Sequence, residues 1–278
     1  MTDKAVGTNV ELGLCVETVF PGMPLEQRLA KAASLGFRNV EVWLVDAVVA
    51  DPEVLGKAAD RAGVRITSLV IGSPDGRVGG GLTDPRNRRQ WLARTKTVLA
   101  YASSARIPGA IVCTGNVVED LSEARMRQSV LDGLKATVDI AEKAGVMLLL
   151  EPLNTAVDHR GYWLTSSDLG AELCRAVASP RLRLLFDCYH MQIMEGDLAG
   201  HIERHIDVIG HFHAAGVPGR HEVYEGEVDY ARLLKRIRRL QYRGVFALEY
   251  YPSTDHEASL RRTLAYLSAA EDGPEDGP

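Results

Sequence analysis

The sequence lacks the marks of several protein classes. Its four cysteines are scattered and include no CxxC pair, which predicts reduced thiols in a cytoplasmic protein. The N-terminus shows no signal-peptide pattern, and no apolar run approaches the ~20 residues of a membrane span. No long basic run stands out, and the formal net charge is −5. Nucleic acid and membranes are therefore not expected as partners.

The composition that remains is that of a globular protein. Of the 278 residues, 46% are hydrophobic and 25% are charged. This is enough chain and enough apolar side chain to bury a large core. The length suits either one large α/β domain or two smaller ones.

Four successive apolar runs in the second half of the chain each end on a side chain that can bind a metal: Glu151, Asp187, His213 and Glu249. Each run has the pattern of a buried parallel strand. A single acid at a strand end is more often a helix cap or an ion-pair partner. Three carboxylates and a histidine in series need a compensating cation, because unpaired buried charge is expensive.

The rest of the chain repeats a unit of helix, glycine and strand. Segments 59–64 and 141–146 share a helical ending, a glycine and a valine before the next strand, which is the junction of a βα repeat. Eight strand candidates alternate with helices, and no linker separates them. The pattern predicts an α/β fold with a single (β/α)8 TIM barrel over residues 1–270. The acidic segment 271–278 lacks apolar residues and is predicted to be a disordered tail.

In such a barrel the active site lies at the C-terminal ends of the strands. The four metal-capable residues are separated by 36, 26 and 36 residues, roughly one βα unit each. Neighbouring strands are only about 4.8 Å apart, so the four side chains are predicted to bind one divalent ion. Three oxygen ligands and one imidazole suit Mn²⁺, as first choice, or Mg²⁺ or Co²⁺ better than a structural zinc.

Two of the four residues are candidates for catalysis. A bound divalent ion can polarise a carbonyl and a neighbouring hydroxyl. Two carboxylates on opposite sides of the substrate can then pass a proton between its carbons through an enediolate. Glu151 and Glu249 come from the outer two of the four strands and form the predicted pair. This chemistry isomerises or epimerises small hydroxy-carbonyl compounds.

Several motifs of the second half resemble a known family. They lie at residues 151–154, 161–164, 187–197, 217–222, 226–227 and 248–252. Together they resemble the hydroxypyruvate isomerase family of the xylose-isomerase-like TIM barrels, which also contain the ketose 3-epimerases and inosose isomerases. The resemblance is dense from strand five to strand eight and loose before it. It implies a divalent metal held by Glu151, Asp187, the residue at 213 and Glu249, with the two glutamates as acid and base. It also points to a homodimer or homotetramer.

The sequence departs from this branch at one predicted ligand. His213 stands where the hydroxypyruvate isomerases carry glutamine, whereas the ketose 3-epimerases carry histidine. Residues 15–18 also lack the opening pattern expected of the branch. The exchange at 213 keeps a metal ligand and leaves a ketose as an alternative substrate.

Three predicted substrate contacts follow strands six and seven. His190 is expected, from the resemblance, to donate to a substrate oxygen, with core packing as the alternative. Arg220 can bind a substrate carboxylate through its fork of donors. Its alternative is an ion pair with Glu222 or Glu225. Glu227 reaches the substrate or anchors its own loop.

Other positions carry weaker signals. Trp163 is a fourth predicted substrate contact, with packing as the alternative. Glu41 either faces the pocket or pairs with a buried base. The glycine-rich segment 72–82 lacks the lysine of a phosphate-binding loop and is interpreted as a flexible loop. His201 and His205 are four apart on a helix without an HExxH motif, and are interpreted as part of a solvated face.

The predicted function is a metal-dependent, aldose–ketose-type isomerase that converts hydroxypyruvate to tartronate semialdehyde. The alternatives are a ketose 3-epimerase, an isomerase of another keto-sugar or inosose, and a non-catalytic sugar-binding protein. A remote alternative is a metal-dependent apurinic endonuclease, which has a similar barrel and similar ligands. Strands one to four contain no histidine for the extra ligands of such a nuclease, and the negative net charge opposes binding to DNA.

Overall fold

The computed structural model describes residues 10–44 and 51–269. Eight parallel strands close into a barrel in chain order, and the last strand pairs with the first. The strands are β1 (Glu11–Cys15), β2 (Asn39–Leu44), β3 (Arg65–Val70), β4 (Gly109–Val112), β5 (Met147–Leu150), β6 (Leu182–Asp187), β7 (Ile209–Ala214) and β8 (Val245–Leu248). The closed barrel confirms the predicted (β/α)8 fold.

The described helices alternate with the strands, and β6 is followed by two. They are α1 (Leu25–Ser34), α2 (Pro52–Ala62), α3 (Arg88–Ser104), α4 (Glu123–Ala144), α5 (Ser167–Val177), α6 (Cys188–Met194), α7 (Leu198–His205), α8 (Tyr230–Arg239) and α9 (His256–Ala269). A 3₁₀ turn (Pro85–Asn87) leads into α3. None of these helices combines the length and apolar composition that crossing a membrane requires.

The helix boundaries follow from side-chain caps and glycines. The side chains of Asp51, Ser122 and Ser166 accept a backbone N–H at the start of α2, α4 and α5, which satisfies a donor that the helix leaves free. Gly63 and Gly145 end α2 and α4 with φ of 71° and 72°. Glycine reaches this left-handed backbone without steric cost. The repeated glycine–valine junction is therefore a helix stop followed by a strand.

Side chains along each strand alternate between the barrel interior and the layer beneath the helices. In β7, Phe212 packs with Phe186 and Phe246 of the neighbouring strands, each pair with ring centroids 6.0 Å apart. His211 and His213, on either side of Phe212, face the interior. A fully buried Phe side chain stabilises the fold by roughly 1.5–3 kcal/mol, so this outer layer offsets part of the cost of polar groups inside.

The ends of the glycine-rich segment 72–82 are buried, while residues 73–78 are partly or fully exposed, so only the ends depart from the predicted flexible loop. Gly79, Gly80 and Gly81 are buried, and a Cβ on Gly115 would lie only 2.7 Å from the Cα of Gly81. The glycines thus allow two backbones to approach closely, which corrects the interpretation of these ends as part of a flexible loop. The predicted tail, 271–278, lies outside the described residues. The single-domain boundaries and the cytoplasmic location remain predictions.

Candidate metal centre and active site

Four strands deliver the predicted metal ligands to one point. Glu151 and Glu249 directly follow β5 and β8, while Asp187 is the last residue of β6 and pairs in register with His213 of β7. All four side chains are buried, and they offer ligand atoms that lie within 4.8 Å of one another. The Tyr162 hydroxyl donates to the carbonyl oxygen of Glu151 at 2.8 Å and helps to hold this strand end in place.

His213 stands at the centre of this group. Its Nδ1 lies 3.4 Å from an oxygen of Glu151, 3.4 Å from one of Glu249 and 3.9 Å from one of Asp187. No described residue makes a hydrogen bond to Nδ1, although the side chain is 1% exposed. Its Nε2 lies 2.9 Å from a carboxylate oxygen of Glu41, which requires a proton on Nε2. Nδ1 is therefore the ring nitrogen that points at the three carboxylates, and it can bind a metal once it carries no proton.

The charges of the cluster are not balanced by protein groups alone. Burial would lower the pKa of His213, but the negative charges of Glu41 and Glu249 raise it well above its ordinary value. Burial raises the pKa of Asp187, and the positive charges of His213 and Arg220 do not overcome this effect. The cluster thus attracts positive charge and leaves a carboxylate short of a partner. A divalent cation fits these residues on charge, burial and donor type.

Glu41 of β2 contacts His213 at Nε2, the ring nitrogen that points away from the three carboxylates. One of its oxygens lies 2.9 Å from His213 Nε2 and the other lies 2.6 Å from His211 Nε2. The Ser68 hydroxyl donates to the second oxygen at 2.9 Å. Burial would raise the pKa of Glu41, but the charges of the two histidines bring it well below its usual range. Of the two roles open from the sequence, Glu41 takes the pairing with buried bases.

A cavity of about 330 Å³ opens above the cluster. Both predicted catalytic glutamates line it, together with His190 and Arg220. The other lining residues are Glu17, Trp43, Val70, Gly72, Ser73, Pro74, Ile111, Cys113, Leu153, His159 and Tyr251. Most of these are apolar, so the few polar groups decide how a substrate is oriented.

Arg220 is held against one of the glutamates. Its Nη2 donates to Glu249 at 2.5 Å, and its guanidinium carbon lies 5.3 Å from the centre of the Tyr189 ring. The backbone of Arg220 is left-handed, with φ of 59°. Glu222 and Glu225, the alternative partners predicted from the sequence, instead bind serines 253 and 259 and Arg262 respectively. The expected ion pair exists, but its acid is Glu249.

His190 lies in the first turn of α6, which directly follows β6. Its backbone N–H donates to Asp187 Oδ1 at 3.2 Å, and its ring is fully buried. Its Nε2 lies 3.5 Å from Asp187 Oδ2 and has no hydrogen-bond partner among the described residues. The structure thus brings His190 to the cavity with one ring nitrogen still to be satisfied.

Two predicted substrate contacts lie elsewhere. Glu227 is exposed and accepts a hydrogen bond from Gln192 at 3.0 Å, on a separate groove beside α7 and α8. The Trp163 indole donates to Glu123 at the start of α4. Neither lines the cavity, contrary to the expectation, because their loops fold back on neighbouring helices.

Sequence reasoning missed Trp43, which does line the cavity. Its indole N–H donates to Glu249 Oε1 at 2.9 Å. Two donors, from Trp43 and Arg220, therefore hold this carboxylate. Burial would raise the pKa of Glu249, but the charges of His213 and Arg220 and these hydrogen bonds lower it well below its ordinary value. The available signal was the position of Trp43 near the C-terminal end of β2.

A second cluster of acids and histidines joins α5 to α7. His205 Nε2 lies 2.5 Å from Asp168, its Nδ1 lies 3.4 Å from Arg175, and His201 Nδ1 lies 3.0 Å from the Ser167 hydroxyl. Both histidines are largely covered, so the interpretation as a solvated face was wrong. Helix α5 packs over the face that the sequence suggested was free. Both nitrogens of His205 and Nδ1 of His201 already have partners, which is typical of a structural clamp.

Comparisons with known proteins agree with this geometry. A sequence model described as the xylose isomerase-like TIM barrel matches residues 29–270. The 2-oxo-tetronate isomerase of Cupriavidus necator is 40% identical over 156 residues, covering 56% of this chain and 60% of that protein. A putative human hydroxypyruvate isomerase is 30% identical over 260 residues, covering 89% of this chain and 92% of that protein. The hydroxypyruvate isomerase of Escherichia coli is 28% identical, covering 84% and 90%.

Solved structures share the barrel. The structure titled AP endonuclease, family 2, from Brucella melitensis superposes with a TM-score of 0.85 at 25% identity, covering 93% of this chain and 99% of that one. An L-ribulose 3-epimerase superposes with a TM-score of 0.82 at 19% identity, covering 97% and 100%. At that level of identity the likeness to the epimerase shows the fold alone.

Proposed function

The chain belongs to the xylose isomerase-like TIM barrel family, and we propose that it is a divalent-metal-dependent isomerase of small 2-keto-3-hydroxy acids. The relatives named above are isomerases of hydroxypyruvate and 2-oxo-tetronate, both small keto acids. One observation carries the proposal. The buried Nδ1 of His213 has no hydrogen-bond partner among the described residues and faces three carboxylates, two of which line the cavity.

Glu151, Asp187, His213 and Glu249 would hold the ion. When bound there, a divalent ion supplies Lewis acidity for a substrate carbonyl and its neighbouring hydroxyl. We assign Glu151 and Glu249 as the acid–base pair, because both carboxylates line the cavity from different strands. One removes a proton from a substrate carbon and the other returns a proton to the adjacent carbon. Mn²⁺ is the first choice among Mn²⁺, Mg²⁺ and Co²⁺.

Two further side chains would orient the substrate. His190 presents an unpartnered ring nitrogen to the cavity and would contact a substrate oxygen. Arg220 is tied to Glu249 by Nη2, but its guanidinium has other N–H groups that can bind a carboxylate. A keto acid uses this cation, whereas a neutral ketose does not. Apolar side chains such as Ile111 and Leu153 line other parts of the cavity.

Hydroxypyruvate, converted to tartronate semialdehyde, is the first substrate. A four-carbon 2-keto-3-hydroxy acid is the second, because the relative with the higher identity over its matched segment acts on 2-oxo-tetronate. The histidine at 213 favours a ketose 3-epimerase as a third candidate. An apurinic endonuclease is disfavoured, since no histidine precedes His159 in the sequence and the net charge is −5. A homodimer or homotetramer remains a prediction from the family resemblance.

The test is turnover of the Mn²⁺-loaded protein in D₂O, read by NMR for product and for deuterium at carbon. The panel holds hydroxypyruvate, a four-carbon 2-keto-3-hydroxy acid, ribulose, fructose, tagatose and 2-keto-inositol. We expect conversion of a keto acid with deuterium incorporated, and none by Glu151→Gln. Preference for a ketose would reassign the substrate, and no exchange by a metal-loaded protein with any member would overturn the proposal.

A further inference from the structure

Asn154 lies three residues beyond Glu151. Hydrogen bonds within the turn at residues 154–158 fix the orientation of its side-chain amide. The side chain is fully buried. Its oxygen accepts the backbone N–H groups of Val157 and Asp158, both at 3.0 Å. Because only the oxygen can accept these donors, the NH₂ group points the other way. There it lies 2.7 Å from Asp158 Oδ2 and 2.7 Å from His190 Nδ1.

His190 Nδ1 therefore meets two donors. One is the Asn154 NH₂ group, and the other is the backbone N–H of Asn154 at 3.2 Å. A proton on Nδ1 would face both of these N–H groups, so Nδ1 must be the accepting lone pair. In a neutral imidazole the proton then sits on Nε2.

His190 lines the cavity, and its protonated Nε2 is the ring nitrogen left without a hydrogen-bond partner among the described residues. The nearest carboxylate oxygen, on Asp187, is 3.5 Å away. A buried N–H without an acceptor costs free energy unless a ligand supplies one. The atom that satisfies it is an oxygen of whatever occupies the cavity.

We propose that Asn154 is a positioning residue that holds His190 in its neutral Nε2–H form, so that the ring offers one donor and no lone pair to the cavity. In this form His190 cannot take a proton from the substrate or bind a metal through Nε2. Proton transfer is left to the two glutamates. The use of this donor in catalysis rests on the proposed function, in which negative charge grows on a substrate oxygen during enolisation.

The side-chain amide of Asn154 is also held by Asp158. Asp158 Oδ2 accepts from the Asn154 NH₂ group and, at 2.8 Å, from the Tyr189 hydroxyl. The Tyr189 ring packs edge-on against the His190 ring, with centroids 5.2 Å apart. A double substitution can therefore exchange the donor at Asn154 with the acceptor at Asp158 while keeping the shape of both side chains.

The experiment compares the swap Asn154→Asp with Asp158→Asn against Asp158→Asn alone. The swap keeps an oxygen for the turn and a donor–acceptor pair between positions 154 and 158, but it places a carboxylate where His190 Nδ1 met an NH₂ group. The single variant keeps that NH₂ group. The full-length, Mg²⁺-loaded proteins, labelled with ¹⁵N at histidine, are examined by long-range ¹H–¹⁵N correlation NMR. The variant His190→Asn identifies the His190 signals among the eight histidines.

We expect wild type and Asp158→Asn to show a protonated Nε2 and a bare Nδ1 on His190, and the swap to show a protonated Nδ1. Relative to Asp158→Asn, the kcat of the swap for a keto acid should fall on the order of 100-fold or more, with a smaller change in KM. A protonated Nδ1 in wild type would overturn the inference. So would a swap that moves the proton and keeps its kcat. If wild type shows the expected tautomer but turns over no keto acid, the role of Asn154 stands and the proposed function fails.

Discussion

The cluster of acids and histidine at the strand ends and the cluster between α5 and α7 differ in what they leave unpaired. At the strand ends, His213 Nδ1 faces three carboxylates without a hydrogen bond. Between α5 and α7, His205 has partners at both nitrogens, Asp168 and Arg175. Residue type and proximity are similar in the two places. What separates a candidate metal centre from a structural clamp is a buried ring nitrogen without a hydrogen-bond partner in the described part of the chain.

The difference has a structural origin. Ligands at strand ends are held by backbone register across four neighbouring strands, so each side chain has little freedom to find another partner. Side chains on a helix surface are less confined and can turn to the nearest opposite charge. Asp168 is still 59% exposed, which keeps its ion pair weak. The two clusters should therefore respond differently when their residues are substituted or when a metal is added.

The largest expected effect is on catalysis. Glu151→Gln should lower kcat on the order of 10²–10⁴-fold, because the amide keeps the size of the acid but cannot take or return a proton. Turnover of a keto acid measures it, with circular dichroism to check the fold. Asp168→Asn, in the helix cluster, is the matched control and should keep its kcat. Near-native turnover by Glu151→Gln would exclude the two-glutamate assignment.

The second effect is on stabilisation by metal. Mn²⁺ at about 100 times its Kd should raise the free energy of unfolding of wild type by about 2.7 kcal/mol. Asp187→Asn should lose most of this gain but keep its fold, because asparagine still caps α6 in place of the aspartate. Urea unfolding with and without Mn²⁺ provides the measurement. An equal gain in Asp187→Asn, or a loss of gain in Asp168→Asn, would contradict the distinction between the clusters.

A smaller effect, on Mn²⁺ affinity, is expected from Glu41, which contacts His213 of the candidate metal centre. Glu41→Leu should weaken Mn²⁺ binding about 10–100-fold, because His213 loses the acceptor that keeps its proton on Nε2. Glu41→Gln keeps an acceptor oxygen and should lose less affinity. Isothermal titration of both variants tests this order. Affinities equal to that of wild type in both would show that Glu41 does not orient the ligand.

The smallest effect concerns the helix cluster itself. Asp168→Ala should lower the free energy of unfolding by about 0.2–1 kcal/mol, as for other largely exposed ion pairs. The hydrogen bond from His205 lowers the pKa of Asp168, so its contribution is fully present above the unfolded value of about 3.9. It disappears as the pH falls through the lower folded value. Urea unfolding of wild type and variant at neutral pH and in acid measures the difference, which should vanish in acid.

Much of the fold and the centre of the site followed from local patterns. Apolar runs that end on Glu151, Asp187, His213 and Glu249 predicted both the strands and their convergence. Because parallel strands of one barrel must end at the same face, position along the chain was enough to place these side chains together. Loop residues had no such constraint. Glu227 binds Gln192 outside the cavity for that reason.

The sequence by itself determined the alternation of strands and helices, the barrel and the acids and histidine at the strand ends, because these depend on backbone periodicity and hydrogen bonding between successive units. Only the tertiary structure decided which partners the buried polar groups have. Glu41 meets His213 from 172 residues away, and Trp43 reaches Glu249 from 206 residues away, on the far side of β1. Such contacts depend on which side chains closure of the barrel brings face to face. No local pattern encodes that distance, so the hydrogen-bond partners of His190 and His213 became known only from the folded structure.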